Sequence, residues 1–396
     1  MPGFELFGDK ERKEVTDVLS TGVLMRYGFD GARNGHYKAL EFERTLCEIT
    51  GSAHSHLCSS GTAALSTAMA ACGVGAGDEV IVPPFTFVAS FEAILQAGAV
   101  PVFGEIDNTL CLNPDRLEAV MTPKTKAVVP VHMCGAMARI DEIKEFCDRN
   151  GLVLLEDACQ SLGATFQGKP LGTFGKAGCF SFDAVKTVTC GEGGAVITDE
   201  KAVYDLCHQY ADHGHDHLGG PDRGADGHPV LGTNYRISEL NAAVGLAQLR
   251  KLDQILEIQR KHKQVLKEAM ADLPGISFRH LPDPAGDSAT FLSFMLPTEE
   301  KARQAAKALA QNQVPCPYWY DNNWHYFRKW DHLKKMISAA PLAAQLCSNL
   351  PDYSKVHLPE SDAVMKRTLS MQIMLSWTEQ ELDRRVTAIE TALKNI

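Results

Sequence analysis

The chain has 396 residues, of which 45% are hydrophobic and 22% are charged, a composition that excludes a disordered or collagen-like protein. Its length predicts more than one domain, with cores large enough to need no disulfide or metal. The 39 Lys and Arg against 49 Asp and Glu give a net charge of -10, so we expect no nucleic-acid partner.

The N-terminal stretch is charged within ten residues and has no apolar segment, and no later stretch approaches the roughly 18 apolar residues of a membrane span. The twelve cysteines are scattered between Cys47 and Cys347, with no CxxC pair. This spacing argues against a zinc ribbon or a disulfide framework. We therefore expect a cytoplasmic protein with reduced thiols, neither secreted nor held in a membrane.

From residue 59 to residue 198, short apolar runs alternate with helical patterns, and the first pattern predicts a helix over 61–72. Further helices are predicted over 90–98 and 140–150. The predicted strands are 79–82, 100–105, 127–132, 152–157, 178–181 and 194–197. This alternation is typical of an α/β domain with a mostly parallel sheet covered on both faces.

A long helical pattern begins near Ile237 and runs, with a possible break, to about Met270. The sequence after it is typical of a smaller α+β domain and contains an aromatic segment, 318–330. We predict a large domain over 1–255, including the N-terminal segment, and a smaller C-terminal domain over 256–396.

Three polar features of the large domain follow in chain order. Ser59 to Ala64 form a small-residue turn that opens a helix, where free N–H groups and the helix dipole favour a phosphate; alone, the turn is more often a plain helix cap. Asp157 ends an apolar strand at the sheet edge where ligands collect, and a buried carboxylate needs a cationic partner such as a protonated pyridine nitrogen. The alternative is an Asp that caps the next helix.

Lys186 lies between an apolar strand and the Gly-rich turn 191–194. A desolvated amine above the sheet can form a Schiff base, although a lone lysine there is more often a solvated loop residue. Phosphate loop, carboxylate and lysine, in that order, together indicate pyridoxal 5'-phosphate (PLP) as the cofactor.

These motifs resemble the DegT/DnrJ/EryC1/StrS sugar aminotransferases, which are PLP enzymes of fold type I. The resemblance covers nearly the whole chain and is carried by 59–65, 84–89, 156–160, 178–182, Lys186, 191–194 and 232–236. It implies a large domain with a mostly parallel seven-stranded sheet, a smaller α+β domain, and a homodimer with shared active sites.

The resemblance also implies roles for individual residues. Lys186 would bind the cofactor covalently, and Asp157 would face its pyridine nitrogen. Catalysis would therefore depend on Lys186 and Asp157. The remaining cofactor contacts would be Phe87 against the ring, Gln160 near the phenolic oxygen, Gly61, Thr62 and Ser181 at the phosphate, and Asn234 at the phosphate of the neighbouring subunit.

Some members of the family carry His in place of this lysine and dehydrate keto-sugars. An amine can bind the cofactor and move a proton, whereas imidazole can only move protons. Lys186 therefore predicts transamination.

Two stretches depart from the family pattern. Residues 24–36 form a long loop, expected between the first helix and the first strand, which brings Arg26 and Arg33. Residues 213–228 are rich in His and Asp and include His215 and Arg223. Substrate choice is expected to lie in these stretches, with Arg26, Arg33, His215 and Arg223 as candidate substrate contacts.

The HxHxH run formed by His213, His215 and His217 would suit zinc in an extended strand. The region is also Gly-rich, and PLP chemistry needs no metal, so we predict no metal site. Polar contacts with a hydroxyl-rich substrate and structural hydrogen bonds are the other readings, and Arg223 could clamp a carboxylate.

Both stretches and the opening residues 2–8 look most like the subgroup of 8-amino-3,8-dideoxy-manno-octulosonate transaminases. That likeness implies L-glutamate as amino donor and an 8-oxo octulosonic acid, a keto-sugar acid used for lipopolysaccharide, as acceptor. A nucleotide-linked keto-sugar is the alternative acceptor. A PLP-binding regulator without catalysis and a metal-dependent hydrolase built on the HxHxH run are the competing classes.

Overall fold

In a computed structural model of the protein, the described residues are 3–220, 223–394 and 396. Pro2 of the opening stretch and Pro221 and Asp222 of the His-rich stretch lie outside them. The described helices are α1 (Asp9–Thr21), α2 (Lys38–Thr50), α3 (Gly61–Ala71), α4 (Ala89–Gln96), α5 (Leu117–Val120), α6 (Ile140–Asn150), α7 (Lys201–Tyr210), α8 (Glu239–Leu249), α9 (Leu252–Met270), α10 (Glu299–Gln311), α11 (Asp331–Lys334), α12 (Pro359–Met365) and α13 (Glu379–Leu393).

The strands form three sheets. They are β1 (His54–Cys58), β2 (Glu79–Val82), β3 (Val100–Phe103), β4 (Thr125–Val128), β5 (Val153–Asp157), β6 (Thr165–Phe166), β7 (Lys169–Pro170), β8 (Ala177–Ser181), β9 (Gly194–Thr198), β10 (Ser277–Phe278), β11 (Phe291–Met295) and β12 (Thr368–Gln372). β6 and β7 make a two-stranded hairpin.

The large sheet has seven strands in the order β1-β9-β8-β5-β4-β2-β3. β9 runs antiparallel to both of its neighbours, and the pairs β8-β5, β5-β4, β4-β2 and β2-β3 are parallel. Every residue of β2, β8 and β9 is buried, because helices cover both faces of the sheet. The predicted α/β fold with a mostly parallel seven-stranded sheet is confirmed.

Helix α3 packs on one face of this sheet, beside α4 and α7. It is apolar almost all round, and nearly all of its side chains are buried. A helix with no polar face is suited to the interior of a layered domain. Its first turn is thereby held at the sheet edge where β5 and β8 end.

Most predicted elements of this domain appear within a few residues of their expected bounds. β1 was missed, because its sequence HSHLC lacks the long apolar run of the other strands; it pairs along the edge with β9. The stretch 24–36 joins α1 to α2 rather than a helix to a strand. The predicted break in the long helix lies between Leu249 and Leu252, where α8 ends and α9 begins.

The smaller sheet, β10-β11-β12, is antiparallel and packs with α9, α10 and α13 around Phe294, Leu369 and Ile389. The predicted boundary after residue 255 falls inside α9.

Part of the C-terminal region packs against the large domain rather than in the core around the smaller sheet. Phe327, Trp330 and Tyr353 pack with Phe91 and Phe103 of the large domain, with the Phe91 and Trp330 ring centroids 4.6 Å apart. The aromatic segment therefore covers the large sheet.

The 3-10 turn Gly3–Leu6 joins distant parts of the chain. The Gly3 N–H donates to the carbonyl of Lys186 (3.1 Å), and the carbonyl of Leu6 accepts from Lys251 Nζ (2.6 Å). Glu5 Oε2 accepts from the N–H groups of Leu375 (2.7 Å) and Ser376 (3.0 Å).

Among the described residues, none of the helices is both long enough and apolar enough to cross a membrane.

Candidate active site

A cavity of about 370 Å³ opens where β5 and β8 end and where α3 and α4 begin. Its wall brings together all the predicted cofactor contacts except Asn234: Gly61, Thr62, Phe87, Asp157, Gln160, Ser181 and Lys186. These residues come from segments up to 125 positions apart, and the parallel strands carry them to one edge of the sheet.

The first turn of α3 forms one side of the cavity. Ser60 caps the helix by accepting the N–H of Ala63 at 3.0 Å, while the N–H groups of Gly61 and Thr62 have no acceptor within the helix. A Cβ on Gly61 would lie 2.7 Å from the Cβ of Ser181 at the end of β8. Glycine is therefore required for this close approach, which places two N–H groups and the Ser181 hydroxyl at one place suited to an anion.

Asp157 ends β5 and is 3% exposed. Its Oδ2 accepts the Ser90 hydroxyl at 2.7 Å and its Oδ1 accepts the N–H of Cys159 at 3.1 Å. No Lys, Arg or His of the described residues pairs with it. A buried carboxylate without a cation is costly, so this site is suited to a positively charged ligand group.

Lys186 follows β8 in a turn closed by its N–H, which donates to the carbonyl of Asp183 at 3.0 Å. Its amine has no hydrogen bond or ion pair with any described residue and lines the cavity. Burial and the charge of Lys186 lower the pKa of His325, another wall residue, to about 4. A neutral His325 therefore faces a free amine.

Phe87 is 38% exposed although it belongs to a buried segment. Its ring lies parallel to that of Trp324, with centroids 5.9 Å apart, and the residue lines the cavity. The backbone of 84–88 is held by the aromatic segment, since Thr86 and Val88 donate their N–H groups to the carbonyls of His325 and Trp324 at 3.0 Å each. The aromatic segment thus forms one wall of the cavity, a role that the sequence did not predict.

Gln160 is buried, and its Oε1 accepts the N–H of Cys134 at 3.0 Å. Asn234 is exposed and is not part of the cavity wall; its Oδ1 accepts the N–H of Arg236 at 3.3 Å. Its predicted role concerns a neighbouring subunit and stays a prediction.

Several wall residues were not predicted: Thr86, Ser90, Glu192, Phe291, Trp319, His325 and Gln372. Thr86 lay within a motif that carried the family resemblance, and Ser90 directly follows it. Phe291 and Gln372, facing each other across β11 and β12, gave no signal because their approach depends on how the smaller sheet meets the large one.

Arg26 and Arg33 are buried and make ion pairs and hydrogen bonds within the chain. Arg26 pairs with Glu43 at 2.6 Å and donates to the carbonyl of Leu57 at 3.0 Å, with 5% of its side chain exposed. Arg33, 1% exposed, donates to the carbonyl of Gly28 at 2.6 Å and lies 3.4 Å from Glu239. Neither lines the cavity that contains Lys186.

The two departing stretches, 24–36 and 213–228, meet each other, and we call them the paired loops. Asp212, fully buried, accepts from Arg223 Nη2 at 2.8 Å and pairs with Arg236, and His217 Nε2 lies 3.4 Å from it. The Arg223 guanidinium lies 5.3 Å from the centroid of the Tyr27 ring.

A second cavity, of about 740 Å³, lies between the paired loops, with Arg223 and His217 in its wall. His215 lies 3.1 Å from Asp226 and its ring packs on His228. The described residues contain no group of three or more His, Cys, Asp or Glu side chains arranged to hold a metal ion.

The chain is similar to known aminotransferases over most of its length. The profile of the DegT/DnrJ/EryC1/StrS aminotransferase family matches residues 7–390. The L-glutamine:2-deoxy-scyllo-inosose aminotransferase of Streptomyces kanamyceticus is 42% identical over an alignment of 253 residues, and the match covers 61% of this chain and 59% of that protein. The GDP-perosamine synthase of Vibrio cholerae is 36% identical over 67% of this chain and 69% of its own length.

Among solved structures, NtdA from Bacillus subtilis with the bound cofactor PMP superposes with a TM-score of 0.79 at 25% identity, covering 99% of this chain and 84% of that one. PMP is the amino form of the cofactor predicted from the sequence.

Proposed function

Because the chain belongs to the DegT/DnrJ/EryC1/StrS aminotransferase family and is a PLP-dependent sugar aminotransferase, we propose a specific reaction for it. It moves the amino group of L-glutamate to C8 of 8-oxo-3-deoxy-manno-octulosonate, giving 8-amino-3,8-dideoxy-manno-octulosonate. The observation that supports the chemistry best is the cavity wall that joins a free lysine amine to a buried carboxylate without a cation.

The residues of the wall fit PLP. The N–H groups of Gly61 and Thr62 and the hydroxyl of Ser181 are available for its phosphate, and the Phe87 side chain for its ring. Asp157 is suited to a protonated pyridine nitrogen, and Gln160 to a polar contact at the ring edge. Bound PLP supplies an electron sink for the carbon next to the amino nitrogen.

Each of these side chains would have a separate role with PLP bound. Asp157 would hold a proton on the pyridine nitrogen, and Phe87 would orient the ring. Lys186 Nζ would hold the cofactor between turnovers and would move the proton of the carbon that carries the amino nitrogen. A lysine at this position supports transamination rather than dehydration.

The carboxylate of the acceptor requires a cation other than Lys186, and the described wall of the active-site cavity does not provide one. Its described lining residues carry the carboxylates of Asp157, Asp183 and Glu192 and the amine of Lys186, but no arginine. Of the arginines in the paired loops, Arg223 is the most open, with 27% of its side chain exposed. We propose Arg223, from the same or a second subunit, as the clamp for the carboxylate of the sugar acid.

A second subunit would also contribute to each active site, because Asn234 is proposed to contact the phosphate of the cofactor bound by the neighbouring subunit. The active unit would then be at least a homodimer. Sedimentation at working concentration tests this, since an active monomer would contradict the role of Asn234.

The alternative acceptor is a nucleotide-linked keto-sugar, and the similarity to a GDP-perosamine synthase supports it. The relative named for 2-deoxy-scyllo-inosose, whose name includes no nucleotide, supports a free acceptor. Both acceptors are anionic, so charge alone does not separate them.

The test is to measure kcat/KM with L-glutamate for the 8-oxo sugar acid and for a panel of nucleotide-linked keto-sugars. We expect the sugar acid to be preferred, and Arg223→Ala to raise its KM about tenfold or more while leaving the glutamate half-reaction unchanged. Arg384→Ala, which removes an exposed guanidinium of α13, is the matched control. Preference for a nucleotide-linked sugar would replace the octulosonate proposal with the alternative.

A further inference from the structure

Two buried hydroxyl groups form a chain of hydrogen bonds that ends at the Asp157 carboxylate. Ser90, in the first turn of α4, is 1% exposed and its Oγ lies 2.7 Å from Asp157 Oδ2. Thr86, fully buried, has its Oγ1 2.6 Å from Ser90 Oγ. Both residues line the active-site cavity.

The direction of these hydrogen bonds follows from chemistry. An ionised carboxylate can only accept, so the hydroxyl proton of Ser90 points to Asp157. The Ser90 oxygen is then the acceptor for the Thr86 hydroxyl. The two hydroxyls form a chain, Thr86 to Ser90 to Asp157, in which every proton points toward the carboxylate charge.

We propose that Ser90, supported by Thr86, is a positioning residue that fixes Asp157 and keeps the proton between Asp157 and PLP on the ring nitrogen. A hydroxyl that donates to a carboxylate stabilises its charged form, which makes the carboxylate a poorer competitor for that proton. The Cys159 N–H holds the other oxygen, so the carboxylate is fixed at both ends. The inference rests on the proposed role of Asp157.

These hydrogen bonds also connect Asp157 to the segment that carries the Phe87 ring. Thr86 and Ser90 flank Phe87, and the Ser90 N–H donates to the Phe87 carbonyl at 3.1 Å. The segment 86–90 therefore carries the Phe87 ring and also orients the Asp157 carboxylate. One segment would thus position both the ring of PLP and its pyridine nitrogen.

The test compares Ser90→Ala, Ser90→Thr and Thr86→Val with the wild type and with Asp157→Asn. Ser66→Ala is the matched control, because Ser66 is also a buried serine with one side-chain partner, Gln96 at 2.9 Å, but does not line the cavity. The readouts are the chemical shift of the ring nitrogen in nitrogen-15-labelled PLP, the dissociation constant of PLP from the apoenzyme, and the glutamate half-reaction in a single turnover.

We expect Ser90→Ala to shift the ring nitrogen toward its unprotonated signal and to slow the half-reaction about tenfold or more, as for loss of a hydrogen bond to a charged group. Ser90→Thr should restore both, Thr86→Val should give a smaller change in the same direction, and Ser66→Ala should give none.

The inference would be overturned if Ser90→Ala kept a protonated ring nitrogen and a half-reaction rate within about twofold of wild type while Asp157→Asn changed both. That result would leave the role of Asp157 intact. No change in Asp157→Asn itself would overturn both. If circular dichroism showed Ser90→Ala to be unfolded, Thr86→Val, which keeps the side-chain shape, would decide in its place.

Discussion

The active-site cavity and the paired loops are both rich in charged and polar side chains, yet they use them in opposite ways. In the cavity, the Lys186 amine and the Asp157 carboxylate have no charged partner among the described residues. Within and next to the paired loops, Arg26 pairs with Glu43 and Arg236 pairs with Asp212. Arg223 also contacts Asp212 but keeps 27% of its side chain exposed. A charge left unpaired by the fold is available to a ligand, whereas a paired one mainly holds the fold together.

Lys186→Ala gives the largest effect that this comparison predicts. The variant should fold normally, because the amine has no hydrogen bond or ion pair with any described residue, but turnover should fall on the order of 10³-fold or more. The measurement is steady-state turnover together with the absorbance of bound PLP. Lys201→Ala, which removes an exposed lysine of α7, is the control. Retained absorbance and turnover would refute the assignment of Lys186.

Asp157→Asn comes next. It keeps the side-chain shape and removes the charge, so the half-reaction with glutamate should slow on the order of 10²-fold, as a buried charge-assisted contact is lost. Stopped-flow absorbance of the cofactor measures this rate. An unchanged rate would mean that the carboxylate serves packing alone.

Arg26→Ala tests the other side of the comparison. Removing the guanidinium leaves Glu43, 7% exposed at its side chain, without a cation, and should lower the free energy of unfolding by about 3 kcal/mol. Denaturant unfolding measures this loss, and Arg303→Ala, at an exposed pair with Glu299, should cost well under half as much. A stable Arg26→Ala enzyme with a raised KM for the acceptor would instead make Arg26 a substrate contact.

The buried histidines within and next to the paired loops predict the smallest effect, a dependence of the free energy of unfolding on pH. Burial lowers the pKa of His208 to about 3 and also lowers those of His56 and His217. Arg26, His217 and Lys201 also oppose the protonation of His208, whereas Asp212 favours it.

Because the folded pKa lies below the unfolded value of about 6.5, this contribution to stability is complete above that pH and is lost as the pH falls toward 3. We therefore expect a lower Tm at pH 5 than at pH 7, with a slope of up to about 1.4 kcal/mol per pH unit for each such histidine. His208→Phe should reduce the slope, and the same change at the exposed His357 should not. An unchanged slope in His208→Phe would contradict the assignment.

The sequence predicted the large sheet and seven of the residues that line the cavity, because these depend on local patterns. The apolar run that ends at Asp157 and the small-residue turn at Gly61 are visible in short windows, and parallel strands bring such ends together. The pairing of charges is not visible in that way. Arg26 and Glu43 are 17 residues apart and meet only through the packing of the α1–α2 loop, so nothing local separated Arg26 from a free arginine.

The aromatic segment shows the same limit. Its composition was noticed, but its position over the large sheet depends on contacts such as Thr86 with His325, far along the chain. Ser90 was not predicted, because a serine after an apolar motif is common. Only the 2.7 Å hydrogen bond to Asp157 indicates its role.

The 3-10 turn Gly3–Leu6 has a consequence for the order in which the protein folds. Its partners lie at Lys186, at Lys251 and, across a sequence separation of 370 residues, at Leu375. Contacts between such distant parts of a chain form late, because the loop between them must first be closed. We therefore expect the backbone of the lysine turn to be completed among the last steps of folding, so that a nascent or partly refolded chain reaches native helix content before it gains the ability to retain PLP.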